Sequence, residues 1–343
     1  MRIMVTGGAG FIGSALVRRL IDASNHDVIN VDKLTYAGNR ASLQSVEDHP
    51  RYRFYQMDIC QHDELLALFR RYEPDAVMHL AAESHVDRSI HAPDAFMHSN
   101  IMGTFSLLEA TREYLSGVNI KQRSAFRFLQ VSTDEVYGDL GADDAAFRES
   151  SPYAPSSPYA ASKASADHLA TAWHRTYQIP VITSHCSNNF GPYQFPEKLI
   201  PVVITAALRG DKIPVYGDGN QARDWIHVDD HVDALLQLLQ HGRVGESYLI
   251  GARNEQKNIN VVNSICALLN TLAPAERYCQ NSSVVDYTAL IEHVADRAGH
   301  DLRYAVDPEK ITRELSWVPR KDFQSGLRET VQWYLDNKDW CVQ

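Results

Sequence analysis

The chain has 343 residues, enough for two domains or for one domain with a substantial insertion. A composition of 44% hydrophobic and 22% charged residues is that of an ordinary globular protein and argues against extensive disorder. The formal net charge of -10 disfavours a nucleic-acid binder, which needs a basic footprint, yet local Arg and Lys can still clamp a small anion.

In chain order, Arg2 to Thr6 reads as a buried strand and Ser14 to Ala23 as a helix with one apolar face. Strands follow over Asp27 to Val31 and Tyr52 to Met57, a helix over Asp63 to Tyr72, and further strands over Ala76 to Leu80 and Phe126 to Val131. Strands alternating with helices at this spacing predict a parallel sheet covered on both faces, hence an α/β fold. A loop rich in Asp, Ser, Pro and Ala lies between Gly138 and Pro158, then a helix over Tyr159 to Tyr177 and a strand over Val181 to Cys186. From Gly191 to Gly219 proline and glycine become frequent and the alternation fades. The expected organisation is a first domain over 1–186 and a smaller C-terminal lobe over 187–343, with segments returning to the first domain.

No apolar run reaches the roughly 18 to 20 residues that cross a bilayer. A strand beginning within two residues of Met1 leaves no room for a signal peptide. Cys60, Cys186, Cys266, Cys279 and Cys341 show no metal-ligand spacing and read as reduced thiols, so a cytoplasmic protein without a metal or membrane partner is expected.

The first strand runs into Thr6-Gly-Gly-Ala-Gly-Phe-Ile-Gly13 and then a helix. Gly7, Gly10 and Gly13 have the spacing of a dinucleotide turn, where residues without Cβ let the backbone approach a pyrophosphate and a helix N-terminus offers free N–H groups. Asp32 closes the second strand, where a carboxylate can accept hydrogen bonds from both adenosine ribose hydroxyls and would repel a 2′-phosphate. NAD is therefore favoured over NADP, on a Rossmann-type doubly wound sheet. Asp58 follows the third strand and either reaches the adenine or is a solvated loop acid.

Tyr159 and Lys163 are four apart at a helix start and share a face. A nearby ammonium favours the phenolate and would make the tyrosine a general base. Asp134 and Glu135 sit side by side after Thr133, at the end of the fifth strand, where open α/β sheets place ligands. Two neighbouring carboxyls can split their pKa values, giving one acid and one base, which is what an elimination of water requires.

The strings TGGAGFIGS, VDKLTYAGN, LAAESHVDRS, STDEVYG, YAASK, SNNFGPYQFPEKLIP, RDWIHV and ADRAGHD follow in that order. Together they resemble the extended short-chain dehydrogenase/reductases and, among them, the dTDP-glucose 4,6-dehydratase family, from the first strand to the C-terminal helix. The TDE triplet and the FPEKLIP segment are the more specific motifs. That resemblance implies an NAD-dependent lyase acting on a nucleotide-diphosphate sugar: oxidation at C4, loss of water across C5–C6, reduction at C6. It implies catalytic roles for Thr133 and Lys163, with Asp134 as general acid, Glu135 as general base and Tyr159 as the base at the 4-hydroxyl. By the same resemblance Gly7, Gly10, Phe11, Ile12, Gly13, Asp32, Lys33, Leu34, Thr35, Asp58, Ile59, Leu80, Ala81, Ala82, Glu83, Ser84, Ser99, Tyr159, Lys163 and Asn189 surround the NAD. Ser84, Thr133, Asn188, Lys198, Leu199, Pro214, Val215, Tyr216, Arg223, Asn258, Asp296, Arg297, Ala298, Gly299 and His300 would face the substrate. A homodimer is implied as well.

The chain departs from the family pattern at Ala298, where proline is usual, at His227, where an aromatic is common, and at Ser99, where threonine is frequent. The loop after Gly138 is also shorter than in many relatives. Dehydratases of UDP- or GDP-linked hexoses, a nucleotide-sugar 4-epimerase and a non-catalytic NAD-sensing regulator remain as alternatives. The epimerase has no task for two carboxylates beside Thr133, and regulators tend to lose the tyrosine–lysine pair.

Overall fold

In the computed structural model, which describes residues 1–342 and their side chains through Trp340, the first strand sets the pattern for the whole sheet. Strand β1 (Arg2–Thr6) sends Ile3 and Val5 into one apolar layer and Met4 into another, so both faces are buried. Strands β2 (Asp27–Asp32), β3 (Tyr52–Gln56), β4 (Ala76–His79), β5 (Arg127–Thr133) and β6 (Val181–Cys186) join it. Strands β7 (Asn188–Phe190), β8 (Ile213–Tyr216) and β9 (Ala222–His227) lie outside that sheet, but β10 (Ser247–Ile250) returns to it beside β6. The seven-stranded order is β10-β6-β5-β4-β1-β2-β3 with every pairing parallel, the doubly wound Rossmann arrangement.

One face is covered by the helices Phe11–Ala23 and Val228–His241, whose Leu16, Leu20, Leu235 and Leu238 are fully buried. The other carries His62–Tyr72, Gly103–Ser116 and Pro158–Tyr177, with Phe69, Leu107 and Ala170 inside. A second apolar core is built by the helices Leu199–Arg209, Asn258–Leu272 and Phe323–Asp336. Around it β9 pairs with β7, β11 (Glu255–Lys257) and β13 (Arg303–Tyr304), and β8 pairs with β12 (Ile291–Val294).

The expected strands and helices occur, with shifts at their ends. Strand β5 runs to Thr133, two residues beyond the expected end, and passes directly into the 3-10 turn Asp134–Tyr137. The polar Ser132 and Thr133 hide this extension, because both are buried by neighbouring elements rather than by their own apolarity. Helix Phe11–Ala23 starts three residues earlier than expected, with Gly10 as its N-cap. The helix Gly103–Ser116 has no counterpart among the elements expected from sequence. A π-helical stretch, Met97–Met102, precedes it and breaks the 3.6-residue spacing.

Candidate active site

A single cleft opens along the carboxyl ends of the parallel strands. The glycine turn after β1, Asp32 from β2, Leu80–Ser84 after β4, Thr133–Glu135 after β5 and Cys186–Asn189 after β6 all line it. Gly7 adopts φ +74, and a Cβ there would lie 2.5 Å from Ala81 N. A Cβ on Gly13 would fall 2.0 Å from Gly7 O, whereas Gly10 meets only Gly7 O at 3.3 Å. The turn is thus closed against its own fold at two glycines and open toward the cleft at the third, a cradle shaped for a phosphate at a helix N-terminus. Asp32 Oδ2 accepts from Ala9 N at 2.9 Å and Oδ1 from Leu34 N at 2.8 Å, so the carboxylate is fixed at the edge of that cradle. Leu34 serves through its backbone, at φ 56, and its side chain does not line the cleft. Lys33 Nζ donates to Ser99 Oγ at 2.6 Å and lies 3.6 Å from Asp58 Oδ2, which sets Asp58 behind the lining residues Lys33 and Ile59. These residues fit a dinucleotide whose ribose carries free hydroxyls.

Deeper in, Tyr159, Thr133, Asp134, Glu135 and Lys163 come together. Ser157 caps the helix Pro158–Tyr177, which places Tyr159 and Lys163 in its first two turns against β5. The Thr133 hydroxyl, which donates to Asp134 Oδ1 at 3.4 Å, lies near the Tyr159 phenol and favours its ionised form, and the phenol's other neighbours include Glu135, Cys186 and Asp134. Burial first, then Glu135, push the phenol well above its ordinary value. Lys163 Nζ donates to Val131 O at 2.8 Å, and burial and Glu135 are the largest influences on the phenol.

Asp134 is 2% exposed, and among the described residues its Oδ2 has no hydrogen-bond partner. Burial, then the charges of Glu135 and Asp224, hold its carboxyl well above the usual range. Glu135 is also raised by burial, but Lys198, Arg223 and Arg297 oppose the rise. Lys198 Nζ donates to Ser84 O at 2.8 Å. Arg223 stacks 4.2 Å over the Tyr304 ring and donates to Asp301 O at 2.9 Å. Arg297 Nη1 contacts Asp87 Oδ1 at 3.3 Å, and its Nε has no partner among the described residues.

Of the expected substrate residues, Ser84, Thr133, Asn188 and Lys198 line the cleft. Leu199 begins the helix behind Lys198. In β8 the pleat turns Pro214 and Tyr216 outward and Val215 inward, so Val215 packs in the second core and offers no side chain to a ligand. Tyr216 donates to Asp87 Oδ2 at 3.3 Å, beside Arg297. The stretch from Asp296 to His300 is folded on itself, with His300 Nδ1 2.5 Å from Asp296 Oδ1. Asn258 N is bonded to Gln221 O at the start of its helix. His227 is buried against Phe190 at 5.3 Å between ring centroids and lies outside the cleft lining. Sequence reasoning missed Cys186 and Glu197, both in the lining. The position of Cys186 as the last residue of β6 was the available signal.

Relatives discriminate further. The GDP-mannose 4,6 dehydratase family model matches residues 4–330. The dTDP-glucose 4,6-dehydratase of Neisseria meningitidis serogroup B is 60% identical over 339 residues, covering 99% of this chain and 94% of that one. The chain belongs to the nucleotide-sugar 4,6-dehydratase family. Within that family the dTDP-glucose 4,6-dehydratase of Streptomyces venezuelae, crystallised with NAD, superposes at a TM-score of 0.88 with 45% identity, over 99% of this chain and 98% of that one. The UDP-glucose 4-epimerase of Thermotoga maritima shares the fold at 0.83 with only 28% identity, over 98% and 100%. Architecture alone therefore does not separate dehydratase from epimerase, and the residues after Thr133 must.

Proposed function

We propose that this protein is an NAD-dependent dTDP-glucose 4,6-dehydratase, converting dTDP-glucose to dTDP-4-keto-6-deoxyglucose. The observation that carries the reading is the adjacent pair Asp134, buried, and Glu135, partly buried, beside Tyr159 and in unlike surroundings. Bound NAD supplies the hydride acceptor at C4 and the hydride donor at C6. Tyr159 in its ionised form, which the Thr133 hydroxyl favours, takes the proton of the 4-hydroxyl. The 4-ketone acidifies the C5 hydrogen, which Glu135 removes, its ionised form favoured by three cations. Asp134, whose protonated form burial favours, protonates the C6 oxygen, which leaves as water. Lys198, Arg223 and Arg297 are the charges for the diphosphate, with the arginines suited to bidentate contacts.

An epimerase returning hydride to C4 leaves two carboxyls beside Tyr159 without work. Incubation with dTDP-glucose and with UDP-glucose, followed by the alkali absorbance of a 4-keto product, tests the reading. Product from dTDP-glucose is expected; galactose-configured sugar with no keto product would contradict it. We further propose a homodimer. Met102 and Phe105 are exposed, and Phe105 packs on Trp173, which in turn meets the exposed Tyr177, across the helices Gly103–Ser116 and Pro158–Tyr177. Light scattering should give twice the chain mass. No helix among the described residues is long and apolar enough to cross a membrane. Cys60, Cys186, Cys266 and Cys279 are unpaired, which suits the cytoplasm we propose; the Cys341 side chain lies outside those described.

A further inference from the structure

Lys163 raises a question that the cleft does not answer. Its ammonium is buried, burial disfavours its charge, and Val131 O is a neutral acceptor. One turn further along the same helix lies Asp167, also buried and outside the cleft lining. Asp167 Oδ2 accepts from Ser132 Oγ at 2.6 Å and from the Tyr153 hydroxyl at 3.3 Å, and lies 3.2 Å from His185 Nε2. Its Oδ1 accepts from Gln130 Nε2 at 3.4 Å. Val131 and Ser132 are neighbours on β5, so the ammonium and the carboxylate reach from one helix face to adjacent points of one strand.

We propose that Asp167 is a positioning residue, the buried counter-charge that keeps Lys163 cationic and held against β5 beside Tyr159. The inference rests on the dehydratase reading for its kinetic consequence, though not for the charge pairing itself.

Glu135 lies in the same cleft but faces Lys198, Arg223 and Arg297, and several other titratable groups around the pair do not supply a negative charge. From β6, the Cys186 thiol is pushed up to about 12, by burial and then by Asp134, and stays neutral. From β4, burial pushes His79 down to about 3, neutral between Thr6 Oγ1 at 2.7 Å and Thr104 Oγ1 at 2.9 Å. On the same helix burial favours the neutral form of the Tyr159 phenol, as it does for the Asp134 carboxyl after β5. Facing Asp167, His185 from β6 meets the Tyr153 hydroxyl at 2.7 Å and the Tyr137 hydroxyl at 3.3 Å. Burial raises both of those phenols. Asp167 is the largest influence opposing the burial of Lys163.

The test is Asp167→Asn, read by 15N-lysine NMR of the folded holoenzyme, with the Lys163 Nζ signal assigned through Lys163→Arg. Removing the opposite charge should lower the Lys163 titration midpoint. The alkaline limb of single-turnover C4 oxidation, a step that does not use Asp134, should move down with it. KM for dTDP-glucose should stay within about twofold, and Asp167→Glu should return both readouts toward wild type. An unchanged Lys163 titration in folded Asp167→Asn, with only thermal stability lost, would overturn the proposal. If Asp167→Asn does not accumulate folded, the wild-type titration decides: an ammonium persisting through pH 8 supports the pairing, and a neutral amine at pH 8 overturns it. Wild-type protein that makes no 4-keto product would sink the dehydratase reading, while the Lys163 titration would still decide the role of Asp167.

Discussion

Asp134 and Glu135 are joined by one peptide bond, yet what surrounds them pulls their proton affinities apart. Asp134 faces Asp224 and keeps an oxygen without a hydrogen-bond partner among the described residues, while Glu135 faces Lys198, Arg223 and Arg297. Glu135 must be ionised to act, and burial raises its pKa, so turnover should fall as pH drops through a value above the ordinary carboxylate range. Arg297→Gln removes one cation that opposes the rise. The acid limb of kcat/KM should therefore move to higher pH, and KM should rise as a diphosphate partner is lost. A pH–rate profile checks this, and an acid limb at its wild-type position would remove Arg297 from the account. The paired acids are legible in the sequence because the two residues are adjacent and end a strand. The environment that distinguishes them is not, since Arg223 and Arg297 arrive from far along the chain. The effect of Lys163 on Tyr159 is equally hidden, because helix spacing gives a shared face but not where a flexible ammonium donates.

At the scale of elements, the glycine turn is readable because its steric requirement leaves a mark in the sequence, three glycines after one strand and before one helix. Gly7→Ala should cost about 1–3 kcal/mol from the positive φ alone, with a further cost from the Cβ that would lie 2.5 Å from Ala81 N. Thermal unfolding should show the loss, and the purified variant should carry less NAD. Normal cofactor content at wild-type stability would mean that the turn does not approach Ala81 so closely. The helix Gly103–Ser116 is obscured because the π-helical turn at Met97–Met102 disrupts periodicity while delivering Ser99 to Lys33. Strand β5 outruns its apolar signal by two residues for a related reason: its end is a polar, buried edge shaped for a ligand.

Across the whole molecule, the two cores are interleaved rather than strung in sequence. Strand β10 and the helix Val228–His241 follow the first segments of the second core yet complete the large sheet. That helix carries His231, whose Nδ1 lies 2.8 Å from Asn189 Oδ1 in the cleft wall. Burial lowers His231 to about 3, below its ordinary 6.5. The unfolded chain then binds a proton between those values that the folded chain does not, so the stability contribution is complete above pH 6.5 and declines as pH falls. From pH 7 to pH 5 that decline is about 2 kcal/mol. In His231→Gln the pH dependence of urea unfolding should be flatter by that amount, and an equal dependence in both proteins would show that His231 takes up its proton while folded. Returns of the chain to an earlier sheet are only weakly legible, because a four-residue apolar strand such as β10 looks alike wherever it pairs.

The most direct measurement is the double substitution Asp134→Asn with Glu135→Gln, assayed with dTDP-glucose for both keto-product formation and reduction of the bound nicotinamide. Dehydration should fall by at least about 10²–10⁴-fold, while oxidation at C4 persists because Tyr159, Thr133 and Lys163 are intact. Undiminished formation of the 4-keto-6-deoxy product would contradict the assignment of acid and base to these two carboxyls.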